Sequence, residues 1–367
     1  MRLNPLSWFN EPQAADEETW SLGDDAVLQA FYGALAAVSS SGVMVTQESA
    51  LRSTAVLACL IVRAETFAAL PVDVLRRTGT GAVKDDTDPA YRLLDIAPND
   101  LMTSKEFWRF KQLREDISGN AFGRVVWRGS TPEEIWPLYG SKPTLAIDPR
   151  TKRVAWNYSG DDFTPANAYP LEDLIHFKGP VLQNPFEGRS LIDLASETIG
   201  VAIGSEQFFA RLLGNGSHFP GYLETDRDLE QKDIAALKEQ LAGFSGLLQA
   251  GTLRIFDRGL KYKQNPMSLK DAQLTEQMRW QLQMIASIFR MPLAMIQDLT
   301  NGTYANSEQQ DLWLAKHTAT PICTNSEAVL RHRLFARRPA YFARFNLDGL
   351  LRGDYKTRAE GDATLVR

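Results

Sequence analysis

The 367-residue chain has few cysteines, few histidines and no surplus of positive charge. Its two cysteines, Cys59 and Cys323, lie in apolar or helical surroundings, which favours two buried reduced thiols over a disulfide framework. The net charge is −5 and the isoelectric point about 5.6. Such a balance argues against a protein that grips a phosphate backbone tightly, which needs a basic surface. It remains compatible with a protein past which nucleic acid must slide.

The sequence also lacks a long uncharged apolar run. Its most apolar long stretch, residues 191–213, contains Asp193, Glu197, Glu206 and Arg211, which disqualifies it as a membrane span. The N-terminal region carries acidic residues where a secretory signal requires an apolar core. We therefore expect a soluble protein that is intracellular when made and has no membrane partner.

Motifs that carry catalysis are missing as well. No GxxxxGK[ST] phosphate-binding loop occurs, and none of the four histidines has a second ligand at a persuasive metal spacing. The histidines are His176, His218, His317 and His332. We expect no catalytic residue, no metal and no cofactor.

Residues 1–46 predict a flexible N-terminal arm, and residues 47–188 predict an α+β region. One helix is expected from Thr46 past Phe67, and a second from its cap at Ser104 to Gly119. Alternating apolar residues and turn signals predict strands at 72–75, 121–128, 135–138, 144–147, 154–158 and 174–178.

The second half is dominated by long helices. The first is predicted over residues 190–213, and Ser196, Gly200 and Gly204 recur on one of its faces at a spacing of four. Interior glycine costs about 1 kcal/mol against alanine, so a close packing contact is expected to compensate. That contact lies either within the chain or between identical subunits.

A β-α-β insert, residues 221–263, separates this helix from another predicted over residues 268–290. A third long helix is expected over 307–334, with a kink at Pro321, followed by a strand at 340–345 and a helix from Tyr355. Four arginines lie near the end of the third helix: Arg331, Arg333, Arg337 and Arg338. Their positive charges would interact favourably either with the dipole at the end of the helix or with a partner such as DNA.

Residues 282–312 form the most informative stretch. Its apolar helix meets Pro292, where a helix must kink or end. A polar loop follows at residues 298–306, and Asn306 or Ser307 is expected to cap the next helix. A glycine-bearing loop between two helices, with no catalytic group, indicates a loop presented on a rigid support for a mechanical or binding role.

The order of these elements resembles the portal, or head-to-tail connector, protein family of long-tailed double-stranded DNA phages and gene transfer agents. The segments that carry the resemblance are AVLACLIVRAETFAALP (55–71), LREDISGNAF (113–122), YPLEDLIHFKG (169–179), Gly188-Arg189-Ser190, residues 285–308 and LLRGD (350–354).

The resemblance implies a portal fold and a ring of identical subunits, usually a dodecamer, at one capsid vertex of the virion. DNA would enter and leave through the central channel. The implied partners are the terminase large subunit, the head–tail adaptor, the major capsid protein and the passing double-stranded DNA, with assembly in the host bacterial cytoplasm. Two alternatives stay open at this point: another ring-forming head or adaptor protein, and a packaging enzyme such as a nuclease or ATPase.

The resemblance also implies a division of the chain. After the arm come the wing (47–188 and 307–354), stem helices (189–219 and 266–297), the clip (220–265), a tunnel loop (298–306) and the start of a helical crown (355–367). The residues expected to face DNA are Asp298, Thr300, Asn301, Gly302, Thr303 and Tyr304. Candidates for clip docking are Asp226, Arg227, Asp228, Lys232, Lys238 and Glu239.

Overall fold

The computed structural model of the protein describes residues 39, 42–147, 152–214, 222–224, 261–263, 274–296 and 304–351. The chain divides into two compact units. Unit 1 holds Thr46–Ala195 and the residues from Ile285 onward, and unit 2 holds Ala36–Val45 and Ser196–Met284. Among the described residues from Thr46 onward, the chain leaves unit 1 after Ala195 and returns to it at Ile285.

Helices form the larger part of the described secondary structure. They are α1 (Gln47–Ala50), α2 (Thr54–Ala68), α3 (Pro89–Tyr91), α4 (Ser104–Ser118), α5 (Leu191–Leu194), α6 (Ser196–Gly214), α7 (Leu274–Ile288), α8 (Tyr304–Leu314), α9 (Thr320–Arg333) and α10 (Asp348–Leu351). Two π-helical turns, Arg92–Ile96 and Ala315–Ala319, and a 3₁₀ turn, Leu293–Ile296, extend them. None of the described helices is long and apolar enough to span a membrane.

Every described strand pairing is antiparallel. The strands are β1 (Val72–Thr78), β2 (Gly81–Lys84), β3 (Asn120–Arg128), β4 (Thr131–Pro137), β5 (Thr144–Ile147), β6 (Val154–Tyr158), β7 (Asn167–Pro170), β8 (Leu174–Lys178), β9 (Tyr222–Glu224), β10 (Lys261–Lys263) and β11 (Tyr341–Phe345). They form sheets in the orders β11-β1-β2, β4-β3-β8, β5-β6-β7 and β10-β9. Helices together with antiparallel sheets confirm the α+β class.

The core of unit 1 is aromatic. Trp108 of α4 lies at its centre, and its ring meets Phe67 of α2 at 5.7 Å and Phe345 of β11 at 5.1 Å between centroids, both edge to face. The indole nitrogen donates a hydrogen bond to the Leu94 carbonyl at 2.9 Å, so the one polar atom of this side chain is satisfied while its rings are buried. Helices α2 and α4 are therefore fixed against the first sheet and against β8.

Several predicted boundaries are wrong by a few residues. Thr46 and Ser49 form a capping box, but it opens only the short helix α1; residues 51–53 interrupt the expected single helix before α2. The cap of α4 is Thr103, whose box with Glu106 takes the role expected of Ser104. The hydroxyl of Ser104 instead donates to the Asp95 carbonyl.

The third long helix also differs from its prediction. It begins at Tyr304, not at a cap on Asn306 or Ser307. Pro321 lies in the first turn of α9, directly after a π-helical turn. There the Thr320 hydroxyl donates to the Ala315 carbonyl at 2.8 Å. The Thr320 N–H donates to the same carbonyl, so the Ala315 oxygen accepts two hydrogen bonds directly before the proline.

Unit 2 contains the two helices α6 and α7 and the short pair β9–β10. The Gln281 side chain donates to the Ser205 hydroxyl at 2.8 Å, which ties α7 to α6. The outer strands of the predicted insert are present and paired, Lys261 opposite Glu224. Its expected helix lies outside the described residues, as does the helix expected from Tyr355.

Both cysteines are free and buried, as predicted. Burial raises the pKa of the Cys59 and Cys323 thiols to about 12, so neither carries a thiolate near neutral pH.

Candidate functional site

The C-terminal end of α4 meets the segment through which the chain leaves unit 1. Gly119 ends the helix with a left-handed backbone, φ +76°. A β-carbon at Gly119 would lie 2.4 Å from the Arg189 carbonyl carbon, and one at Gly188 would lie 2.1 Å from the Gly119 oxygen. Two glycines therefore allow the backbones to touch at a distance that side chains forbid.

Asn120 fixes this contact by binding both backbone groups of Gly188. Its side-chain oxygen accepts from the Gly188 N–H at 3.0 Å, and its side-chain nitrogen donates to the Gly188 carbonyl at 2.9 Å. The same oxygen lies 2.9 Å from the His176 Nε2 of β8. An amide side chain carries an acceptor oxygen and a donor nitrogen side by side, so it can bind the N–H and the carbonyl of one residue. This explains why an asparagine occupies a buried strand position.

His176 serves this arrangement as a neutral donor. Burial lowers its pKa to about 3, and nearby Lys178 lowers it further in the same sense, so the ring carries no charge near neutral pH. The ring stacks on Phe122 with centroids 4.1 Å apart. Since the Asn120 oxygen accepts, Nε2 carries the proton.

Ser190 completes the exit of the chain from unit 1. Its hydroxyl donates to the Ile117 carbonyl at 2.6 Å, one of the carbonyls that the end of α4 leaves unpaired. The same oxygen accepts from the Asp193 N–H at 3.2 Å and so caps α5. One hydroxyl thus joins the end of one helix to the start of the next.

The return of the chain is bound to the same helix end. Arg63 of α2 donates from Nε to the Asp116 carboxylate and from Nη1 to the Phe289 carbonyl, both at 2.9 Å. The side chains of Arg63 and Asp116 are only 12% and 3% exposed. The Thr318 hydroxyl donates to the Arg290 carbonyl. A cation and a hydroxyl therefore satisfy carbonyls just beyond the end of α7, where the helix dipole is negative.

A second buried ion pair stiffens α4. The Lys111 ammonium lies 2.6 Å from Glu115 and 3.0 Å from the Ser326 hydroxyl of α9. It also lies 4.8 Å from the ring centres of both Phe67 and Phe177. Burial outweighs the neighbouring lysine and raises the pKa of Glu115. These charges are held inside unit 1 by partners on three helices, which gives them a structural role.

The two flanks of the expected tunnel loop are joined. The Ala294 N–H of the 3₁₀ turn donates to the side-chain oxygen of Gln310 on α8 at 3.3 Å. The ends of the intervening segment are thus held together on unit 1. Tyr304, predicted as a loop residue, begins α8. The other residues predicted to face DNA, Asp298 and 300–303, lie outside the described residues.

The small-residue face of α6 is partly occupied by the chain itself. Gly200 is buried, and a β-carbon there would lie 2.2 Å from the Ser39 hydroxyl oxygen and 3.2 Å from a Val45 methyl. This contact supports packing within the chain at Gly200. The assignment of Ser196, Gly200 and Gly204 to a subunit interface stays a prediction. All six residues proposed for clip docking lie outside the described residues.

The residues that form the described site were present in the sequence without an assigned role. Gly119-Asn120 was predicted only as a helix end, and Gly188-Arg189-Ser190 only as part of the resemblance. Arg63 and Asp116 lie 53 positions apart and match no motif. An Asn directly after a helix-ending Gly, and a Ser that opens a helix after Gly-Arg, are the local signals that point to the contact.

Comparison with known proteins identifies the class. The sequence matches the phage portal protein family over residues 54–367. It is 28% identical to the probable portal protein of Streptomyces phage phiC31 over 343 residues, 89% of this chain and 74% of that protein.

Two solved structures share the fold. One is an HK97-family phage portal protein from Corynebacterium diphtheriae, with a TM-score of 0.61, 19% identity and coverage of 84% of this chain and 97% of that chain. The other is a chain in the neck of a native gene transfer agent particle computed with C12 symmetry, with a TM-score of 0.57, 17% identity and coverage of 92% and 93%.

The fold and the match together define a portal-fold protein. This chain belongs to the phage portal protein family, and its role is that of a ring-forming portal subunit. The resemblance drawn from the sequence is confirmed.

Proposed function

We propose that this portal subunit forms a closed ring at one capsid vertex, through which DNA is packaged and later ejected. The observation that carries the proposal is the course of the chain between its exit from unit 1 after Ala195 and its return at Ile285. The chain leaves through α5 and α6, forms the β9–β10 pair and returns through α7. The exit is bonded to the end of α4 through Ser190, and the return is linked to it through Arg63 and Asp116. A small β-containing insert on two helices corresponds to a clip on a stem, and unit 1 corresponds to the wing.

Exposed apolar side chains on the stem helices support lateral contacts between subunits. Trp280 of α7 is 58% exposed and Phe208 of α6 is 45% exposed. In a ring these surfaces would pack against the next copy. We expect twelve subunits, consistent with the C12 symmetry of the gene transfer agent neck that contains a similar chain.

Native mass spectrometry of the purified protein, with negative-stain top views, tests the ring. Trp280→Glu should place a charge in the stem contact and shift the population toward smaller species. Val83→Glu is the matched control, because Val83 is 53% exposed on β2, outside the stem. A stable monomer of the unsubstituted chain at micromolar concentration, also in the presence of capsid and scaffold proteins, would contradict the proposal.

The loop at residues 298–306 is proposed to line the narrowest part of the channel. Its small hydroxyl and amide side chains can contact phosphates in passing, without the salt-dependent grip of lysines. Thr300→Lys combined with Asn301→Lys should slow translocation while rings still form. Thr78→Lys combined with Thr80→Lys adds the same charge at the β1–β2 turn and should leave packaging unchanged. Equal packaging rates for both variants would refute the channel assignment.

The clip, residues 220–265, is proposed to dock the terminase large subunit during packaging and the head–tail adaptor afterwards. In the chain it lies between the two stem helices, and in a ring a segment at the tips of such helices would form an exposed annulus. Replacing residues 226–239 with a polar linker should abolish terminase binding while incorporation into capsids continues. Normal packaging by this variant would exclude the clip as the docking surface.

The family is a structural one, and we propose that this chain acts without catalysis. We further propose that it joins the capsid in the host cytoplasm, where it contacts the major capsid protein. The buried charged residues of unit 1 each have a partner that explains their burial, such as Asp116 for Arg63 and Asp88 for Arg338. Hydrolysis of ATP or cleavage of DNA by purified rings, abolished by a single substitution in this chain, would contradict the assignment.

A further inference from the structure

A cavity of about 560 Å³ lies in unit 1 between the β5–β6 hairpin and α9. Its walls are apolar: Ile147, Val154 and Trp156 come from the hairpin, and Val329 comes from α9. Ile147 is 58% exposed, so apolar surface remains open to solvent at the mouth. The volume falls within the roughly 300–1,000 Å³ typical of pockets that receive a ligand or an inserted side chain.

Two cationic side chains, Lys178 and Arg333, line this apolar cavity. His332 and Asn325 line it as well. Lys178 donates to the Pro185 carbonyl, and neither Lys178 nor Arg333 forms an ion pair with any carboxylate that the structure describes. Partial burial lowers the pKa of Arg333, which reflects a cation with incomplete hydration and no compensating anion.

Two other arginines of the same cluster already have partners. Arg338 pairs with Asp88, and Arg337 lies over the Trp127 ring at 4.3 Å and beside Glu172 at 3.4 Å. Arg331 is exposed and does not line the cavity, so Arg333 is the arginine of this cluster at the cavity wall. An anionic group next to an apolar one would match it.

The chain carries such a segment at its N-terminus. The first 38 residues contain one of the 40 basic residues and six of the 45 acidic residues. Their net charge is −5, which equals the net charge of the whole chain. The other 329 residues therefore contain 39 basic and 39 acidic residues. Within this region Trp20 stands between two acidic groups: Asp16, Glu17 and Glu18 before it, and Asp24 and Asp25 after it.

We propose that residues 16–25 of this chain dock in the cavity, with Trp20 against Trp156 and Val329 and the flanking carboxylates facing Lys178 and Arg333. A tryptophan buries about 150–250 Å² and is a common anchor in such pockets. Thirteen residues lie between Asp25 and Ser39, a linker that spans up to about 50 Å. Docking takes place either within one subunit or on its neighbour. Only the second form rests on the proposed ring, where it would tie adjacent subunits together.

Photocrosslinking of the full-length protein tests the proposal. With p-benzoylphenylalanine in place of Trp20, crosslinks should fall in residues 145–156 and 325–333. Lys178→Glu combined with Arg333→Glu should lower their yield by roughly tenfold, because like charges would face each other. Arg331→Glu is the matched control: Arg331 is exposed on the same helix, does not line the cavity and should leave the yield unchanged. Lysines at positions 16, 17 and 18 should restore the yield in the reversed variant.

A mixture of ¹⁴N- and ¹⁵N-labelled chains identifies the donor subunit, because docking on a neighbour gives crosslinked peptides of mixed isotopic mass. Crosslinks outside the cavity, or a yield that charge reversal does not change, would overturn the proposal. So would a small anionic molecule that remains bound to the cavity in native mass spectra and excludes Trp20. The ring is weighed in the same samples, so intact rings without these crosslinks would refute the docking and leave the portal function standing.

Discussion

Gly119→Ala tests whether the close backbone contact at the end of α4 holds the site together. The substitution carries two separate costs. An L-residue in the left-handed region costs about 1–2 kcal/mol. The new β-carbon would also lie 2.4–2.6 Å from three backbone atoms of residues 188–190, which are not flexible side-chain ends. Forcing such atoms apart typically costs about 1–3 kcal/mol more, so we expect a total loss of about 2–5 kcal/mol.

Gly129→Ala separates the two costs. Gly129 has a similar backbone, φ +66°, but nothing lies within 4 Å of the position of its β-carbon. It should therefore lose only the conformational part, about 1–2 kcal/mol. The gain from a stiffer unfolded chain is common to both variants and cancels in the comparison. Urea unfolding followed by tryptophan fluorescence, at one protomer concentration, measures the difference. Equal losses in the two variants would refute the close contact between Gly119 and residues 188–190.

Three further predictions concern the same unit. Asn120→Ala leaves both backbone groups of Gly188 without their partner and should cost about 1–3 kcal/mol or more, whereas Asn184→Ala in an exposed loop should cost less than about 0.5 kcal/mol; urea midpoints compare them. Arg63→Met leaves Asp116 buried without its cation and should lower the free energy of unfolding by about 3–5 kcal/mol. Arg52→Met removes a partner from an exposed ion pair and should lower it by only about 0–0.5 kcal/mol. Similar losses in the two variants, measured by urea unfolding, would contradict the role given to Arg63. Burial raises the pKa of Cys59 and Cys323 to about 12. Alkylation of these thiols at pH 8 should therefore be roughly a thousandfold slower in the native protein than in the unfolded chain. Rapid labelling of the native protein would show that the thiols are accessible.

The sequence predicts the elements of this fold well, because their signals are local. Strands β5, β6 and β8 end where alternating residues and turns place them, and Gly119 ends α4 as predicted. Edge strands β2 and β7 are missed, because each contains residues that are depleted in strands, such as Gly81 in β2 and Asn167 and Pro170 in β7. Helix starts shift by one to three residues, because several neighbouring residues can serve as a cap.

The contacts that form the site are not predictable in the same way. Asn120 and Gly188 are 68 residues apart, and Arg63 and Phe289 are 226 apart. In each case a side chain binds a backbone group, and a backbone group leaves no trace in the amino-acid type of its residue. The sequence shows the donor, an asparagine or an arginine with many ordinary roles. Only the tertiary structure shows which carbonyl or amide it satisfies.

The exit and the return of the chain share adjacent residues of α4, and this has a mechanical consequence. The Ile117 carbonyl binds Ser190, and the Asp116 carboxylate orients the guanidinium that binds the Phe289 carbonyl. Neighbouring residues differ by about 1.5 Å in height along a helix, so both crossings are held at one level. A shift of the last turn of α4 would therefore act on both crossings together. Because α4 also contributes Trp108 to the aromatic core, such a shift would have to repack that core, which resists small displacements. The helix that follows the exit thus begins, and the helix that precedes the return ends, next to groups bonded to α4 directly or through Arg63.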